Sequence, residues 1–345
     1  MEIQSPLAIE TILRALLGGA LAFLLSMYGT PVAAKAAIEF NIVDRPDGKL
    51  KQHRGPIPYL GGLAIYAGFL LALAMVFEFD RRVLGILLAG TILVLLGLID
   101  DFGVLGVGPK FAGQLIAAWV ILKSDIAIHI ALLPEWLTAC LSVVWLVGMA
   151  NAFNIIDVAD GLSAGTGFIA AIFLLIVSVM NGQGTIAVLT AVLAGSLLGF
   201  LRYNYHPARI FMGDCGSLFL GMTLAALAMI GKYDEHNPVG YLTPLLILAI
   251  PLFDTAYVMA LRMARGVSPF KGSPDHFALR LRDKGFSVRR VVGLTYAAGV
   301  ALGALGLWNL YLTRMQSLFL VGGAAGAMLL VAVALSRADM AEERT

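Results

Sequence analysis

The sequence predicts an all-α polytopic membrane protein with about eleven (ten or eleven) transmembrane helices, the N-terminus outside and the C-terminus in the cytoplasm. Three observations predict it. Hydrophobic residues make up 59% of the 345, and charged residues only 13%, about half the soluble average of roughly 25%. Mean hydropathy is +0.88. The few basic residues collect in alternate loops. So little charge cannot cover the surface of a soluble chain of this length, which excludes a water-soluble enzyme, a disordered protein and a secreted disulfide scaffold. A net charge of +2 lacks the basic excess of a nucleic-acid binder. Cys140 and Cys215 are too few for a disulfide framework or a zinc site.

A membrane helix needs about 20 apolar residues, fewer inside a bundle. The first such run is 8–29. It differs from a secretory signal because Glu2 and Glu10 replace a basic leader, and its apolar stretch exceeds the roughly 7–15 residues of a signal core. Runs 58–78 and 83–99 follow, the latter closing on Asp100 and Asp101. Runs 109–123 and 137–151 are short, and 163–181, 185–201 and 216–231 come next. Run 241–264 carries Asp254 after Pro251, and 290–311 and 315–335 complete the set. Gly221 and the Gly322–Gly326 stretch lie inside spans and read as close helix packing. The chain reads as one membrane-embedded domain with motifs over 40–290, closing helices over 290–335 and a tail over 336–345.

Orientation follows from lysine and arginine. One set of alternate loops holds Arg81, Arg82, Lys123, Lys232 and Arg314, and Arg14 lies inside the first span. The other 18 of the 24 basic residues fall in the opposite set, which is therefore expected in the cytoplasm.

Carboxylates near membrane spans are costly and mark function by default. Asp100 and Asp101 end the third span, Asn154, Asp157 and Asp160 sit in NIIDVADGL, and Asp214 sits in FMGDCGS. All fall on the expected cytoplasmic side. Two carboxylates at a helix C-terminus oppose the macrodipole. Five on one side, with no local matching of lysines, point to a hard divalent cation. Magnesium, or manganese in its place, takes oxygen ligands shared with substrate phosphates. The plainer readings are a solvated helix end for the first pair and an Asx turn capping the sixth span for Asp160. Glycines around Asp214 admit close backbone approach at a helix N-terminus, which favours phosphate. Lys49, Lys51, His53, Arg54, Arg280 and Arg282 could clamp the phosphates of an anionic substrate, or hold lipid headgroups. Asp254 lies within a span, about 12 Å of helix rise from Arg262, and is a second-tier site residue. His129, His206 and His236 have no assignable partner.

The ordered set GPIPYLGGLAIY (55–66), LGLIDDFG (96–103), NAFNIIDVADGL (151–162), RIFMGDCGSLFLG (209–221) and SPDHFALRL (273–281) resembles the polyprenyl-phosphate N-acetylhexosamine-1-phosphate transferases, glycosyltransferase family 4. The likeness runs from about residue 40 to 290. It implies transfer of a sugar-1-phosphate from a UDP-sugar to a membrane polyprenyl phosphate, giving a polyprenyl-diphospho-sugar and UMP, at the cytoplasmic face of the cell membrane. It implies magnesium ligation by Asp214 with Asp100 and Asp101. It also implies catalytic roles for Asp100, Asp101, Asp157, Asp160 and His276, with Asn154 near the nucleotide. Val158 stands where the family segment has glycine, and Ala278 and Leu279 replace its second and third histidines, so the reaction type is implied and the donor sugar left open. No nucleic-acid partner is expected, and a homodimer is compatible. A transporter or flippase is the rival class; its sites lie near the midplane in repeated halves, whereas here the carboxylates end spans and no repeat is visible. A phosphatidyltransferase is disfavoured because DGLSAG lacks that family's arginine and later aspartates. A catalytically impaired family member is the third alternative.

Overall fold

The computed structural model describes residues 9–44, 55–76, 80–103, 105–130, 133–233, 237–268 and 275–336. Helices dominate, joined by one two-stranded antiparallel ribbon, β1 (Val43–Asp44) with β2 (Ile57–Pro58), paired Val43 to Pro58 and Asp44 to Ile57. The chain packs as two compact units, residues 1–231 and 232–345.

The first unit holds α1 (Ile9–Glu39), α2 (Gly61–Val76), α3 (Arg81–Asp101), α4 (Val107–Lys123), α5 (Glu135–Ile155), α6 (Leu162–Met180), α7 (Gly184–Asn204) and α8 (Gly213–Ile230). The second holds a 3₁₀ turn (Gly240–Leu242), α9 (Thr243–Ile247), α10 (Ala249–Ala264), α11 (Phe277–Asp283), α12 (Val288–Asn309) and α13 (Arg314–Ser336). Each expected apolar run thus contains helix. Among the described residues, eight helices are long and apolar enough to cross a membrane, or nine if the bent α9–α10 pair is one span. The chain is a multi-pass membrane protein.

Two departures from the expected spans have clear causes. The first helix runs ten residues past its expected end at 29, through Pro31, because the Ala-rich residues 33–37 favour helix after the apolar run stops. The expected run 241–264 breaks at Leu248, and its halves bend by 71°. The ring of Pro251 would clash with the carbonyl four residues back, at Ile247, so a straight helix cannot pass.

Helix α8 is almost wholly buried and packs against α2, α3, α5, α6 and α7. In α1 and α13, by contrast, large apolar side chains such as Leu16, Leu17, Phe319 and Leu330 are exposed. A soluble protein rarely leaves such contiguous apolar surface in water; lipid is its natural solvent. The arrangement matters for function because it delivers the N-terminus of the most buried helix, with Asp214 in its first turn, to the ends of α3 and α5.

Candidate active site

The close approach of α3 to α8 is built into the sequence. A Cβ on Gly97 would lie 2.3 Å from the Cys215 backbone nitrogen, so only glycine lets the two backbones meet. Gly213 adopts φ +74, and a Cβ there would come within 2.7 Å of Asp101 Oδ2. Any other residue would strain the backbone and displace that carboxylate.

Asp101 accepts hydrogen bonds from the backbone N–H groups of Asp214 (2.8 Å) and Cys215 (3.3 Å). It therefore caps the N-terminus of α8 from another helix, where a negative charge meets the positive end of the dipole. Asp100 faces a different partner. The Lys110 ammonium lies 2.6 Å from Asp100 Oδ2 and also donates to Asp214 Oδ2. Asn154 completes the arrangement, its Nδ2 donating to Asp214 Oδ1 (2.7 Å) and to Ser217 Oγ (3.0 Å). Both oxygens of Asp214 are thus held, one by an amide and one by a cation.

Lys110 corrects the expectation that these carboxylates lack a matching lysine. It is the single basic residue between Arg82 and Lys123, and α4, folding back along α3, returns it to the aspartates it follows by nine and ten positions. A lone lysine so soon after an acidic pair was the available signal.

Asp157 and Asp160 lie in the turn between α5 and α6. Asp157 keeps some open surface but is crowded by protein. Burial, followed by the charges of Asp214, Asp101 and Asp160, raises its pKa to about 8, so it is mainly neutral at pH 7. Asp160 does not cap α6, whose N-cap is Gly161. It accepts instead from the Ala208 N–H (3.0 Å) and pairs with His206 Nδ1 (2.6 Å). That contact ties the α5–α6 turn to the segment leading into Asp214 and gives His206 the partner that sequence reasoning missed. Tyr59, following β2, hydrogen-bonds Asp44; burial and that bond push its phenol well above the usual range.

The second unit gathers its own set. Asp254, fully buried, accepts from His276 Nδ1 (2.8 Å) and the Phe277 N–H (3.1 Å). With Asp254 as acceptor, His276 carries a proton on Nδ1. Arg280, expected to clamp phosphate, is buried and donates to Asp275 Oδ1 at 2.7 Å, with its guanidinium over the Tyr257 ring. A buried guanidinium needs a carboxylate, and Asp275 also takes a two-pronged contact from Arg265 (2.8 and 3.0 Å). Arg282 is half-buried in α11. Lys49 and Arg54, with Lys51 and His53, lie outside the described residues. So the structure groups Asp100, Asp101, Asn154, Asp157, Asp160 and Asp214 in the first unit, and Asp254, His276 and Arg280 in the second.

The donors at Asp100 and Asp214 are hard oxygens, and one ammonium already bridges them, so they are spaced to share a cation. Among the described residues, no three His, Cys, Asp or Glu side chains are grouped to hold a metal ion. Two carboxylates completed by water and substrate phosphate are how magnesium is commonly held, and the donor set fits it on those terms.

In this multi-pass membrane protein, buried helices thus bring carboxylates, an amide and a lysine to one helix N-terminus. The chain belongs to glycosyl transferase family 4, whose model matches residues 83–232. It is 32% identical to a probable undecaprenyl-phosphate N-acetylglucosaminyl 1-phosphate transferase of Bacillus subtilis, over 90% of this chain and 89% of that protein. A decaprenyl-phosphate N-acetylglucosaminephosphotransferase of Mycobacterium leprae is 34% identical over 73% of each. An undecaprenyl-phosphate alpha-N-acetylglucosaminyl 1-phosphate transferase of Yersinia pestis is 25% identical over 92% of this chain and 90% of that one.

Proposed function

We propose that this protein transfers an N-acetylhexosamine-type sugar-1-phosphate from a UDP-sugar to a membrane polyprenyl phosphate, releasing UMP. The carrying observation is the Asp100–Lys110–Asp214–Asn154 constellation in a chain so similar to transferases named for that chemistry. An oxygen of the lipid phosphate attacks the sugar-bearing phosphorus of the donor. The bond from that phosphorus to the bridging oxygen breaks, and the bridging oxygen leaves with UMP. The acceptor is already anionic near neutral pH and needs little activation, so direct attack is favoured over an aspartyl-phosphate intermediate.

Such a transfer needs charge neutralisation and alignment more than covalent help. Lys110 supplies three donors at the point where Asp100 and Asp214 converge, and can exchange a carboxylate for a phosphate oxygen as the diphosphate enters. Asp101 and Asn154 hold Asp214 from its backbone and side-chain ends, so its orientation is set before substrate arrives. A neutral Asp157 adds a hydrogen-bond donor without a further negative charge beside incoming phosphates. Magnesium (or manganese), held by Asp100 and Asp214, would neutralise charge on the diphosphate. The family resemblance assigns His276 a catalytic role and Lys49, Arg54 and Arg282 substrate contacts, and the positive charge of the last three suits an anionic donor. Eleven spans with the N-terminus outside and the C-terminus in the cytoplasm, supported by the basic-residue asymmetry, put the site at the cytoplasmic face of the cell membrane, where lipid phosphate meets a soluble nucleotide.

The test is UMP release by purified protein with polyprenyl phosphate, magnesium and a panel of UDP-sugars. At least one N-acetylhexosamine donor should turn over, and chelation or Asp214→Asn should abolish it. Failure of every UDP-sugar in the panel would overturn the proposal.

A further inference from the structure

Below Lys110 and Asn154 lies a second polar contact that the reaction does not use. Gln114, 1% exposed, and Asn151 exchange side-chain amide hydrogen bonds: Asn151 Nδ2 donates to Gln114 Oε1 (2.7 Å) and Gln114 Nε2 to Asn151 Oδ1 (3.3 Å). Asn151 Nδ2 also donates to the Val147 carbonyl at 2.8 Å. Gln114 follows Lys110 by four residues on α4, and Asn151 precedes Asn154 by three on α5. Each pair therefore shares a helix face. The helices run in opposite senses, so both amides lie on the same side of the site, about 4–6 Å deeper along the helix axes.

We infer that Gln114 and Asn151 are positioning residues: they lock α4 against α5 in the one axial register that lets Lys110 and Asn154 reach Asp214 together. The inference rests on the transferase reading for its kinetic consequence, but not for its geometry. Apolar side chains would hold the two helices together without fixing a register, because dispersion contacts are non-directional. A reciprocal amide pair tolerates only tenths of an ångström of slip before a bond is lost. A single buried polar pair sets register in coiled coils for the same reason. The site above needs that accuracy, since Lys110 reaches Asp214 Oδ2 from α4 while Asn154 reaches Oδ1 from α5.

The test compares the full-length protein with Gln114→Leu, Asn151→Leu, the apolar pair carrying both changes, and the swapped pair Gln114→Asn with Asn151→Gln. The swap keeps both amides and the total number of methylenes. Two readouts are used. Kinetically, the apolar variants should lose at least about ten-fold in kcat with donor KM within about three-fold, the signature of misplaced groups. Independently of turnover, Lys110 should be acylated by acetic anhydride several-fold faster in the apolar variants, with Lys123 as internal reference, measured by mass spectrometry. The swapped pair should recover both. The inference is overturned if the apolar pair matches native protein in kcat and Lys110 labelling, or if the swap does no better than the apolar pair. Should the apolar pair not purify as a monodisperse protein, Gln114→Met alone, of equal length, decides by the same two criteria. A native protein that turns over no UDP-sugar would sink the transferase reading, while the labelling arm would still judge the latch.

Discussion

Replacing Lys110 by methionine removes the cation that bridges Asp100 and Asp214 while keeping the side chain's length. At an effective dielectric near 20, a unit pair 2.6 Å apart attracts by about 6 kcal/mol. Hydration cancels much of this, because the Lys110, Asp100 and Asp214 side chains keep 20, 15 and 31% of their surface. The variant then leaves two facing carboxylates, and about 2 kcal/mol of lost stability is expected, below the range for breaking a fully buried pair. Thermal unfolding of the substrate-free protein in detergent reads this directly. The contacts are mutual, so Lys110→Met with Asp214→Asn should be more stable than the sum of the single changes by about 1–2 kcal/mol. UMP release should fall about 10²–10³-fold in Lys110→Met, the usual loss when a positioned charge on a transferring group is removed. Lys110→Arg keeps the charge in a planar fork that does not fit a point-charge site; it should unfold like native protein and still transfer slowly. The reasoning fails if Lys110→Met matches native protein in both unfolding temperature and rate.

Other outcomes follow from the same geometry. Gly213→Ala forces a side chain into φ +74 against Asp101, and should cost about 1–3 kcal/mol along with most of the activity, checked by unfolding and UMP release. Asp157 has a folded pKa near 8 against 3.8 for the free group, so its contribution is fully present below pH 4 and is lost as pH rises towards 8. Asp157→Asn cannot ionise, and should therefore flatten the fall in unfolding temperature across that window. Asp254→Ala strands the His276 imidazole and the Phe277 N–H. It should destabilise the second unit by about 2–4 kcal/mol, seen as faster proteolysis near residue 276, whereas Asp254→Asn should do less harm. Magnesium should raise the unfolding temperature of Lys110→Met more than that of native protein, because the Lys110 ammonium no longer competes for Asp100 and Asp214.

Much of this architecture is legible in the chain. Apolar length alone locates every membrane-type helix, since lipid leaves the backbone few options but to satisfy its own hydrogen bonds. The break at Leu248 was also readable, because Pro251 forbids the carbonyl geometry at Ile247. The short α11 and the β1–β2 ribbon were not anticipated, being too short to carry a periodic pattern. The carboxylates were found individually because charge near a span is costly and rare. Their division of labour was not. Asp100, Asp101, Asp160 and Asp254 look alike as letters, yet the first meets a lysine, the second backbone N–H groups, and the last two each a histidine with a backbone N–H.

The sequence by itself determined that this protein lives in a membrane, which segments are helical, and which acidic residues stand out as rare charges beside the spans. Those properties depend on local composition and spacing, which solvent and lipid read residue by residue. Only the tertiary structure decided that Lys110 is the cation between Asp100 and Asp214, that Asn154 aims Asp214, and that Arg280 serves Asp275. Each pairing joins separate elements, and its partner is chosen by helix packing: by glycines that let α3 reach α8, and by an amide pair that sets α4 against α5.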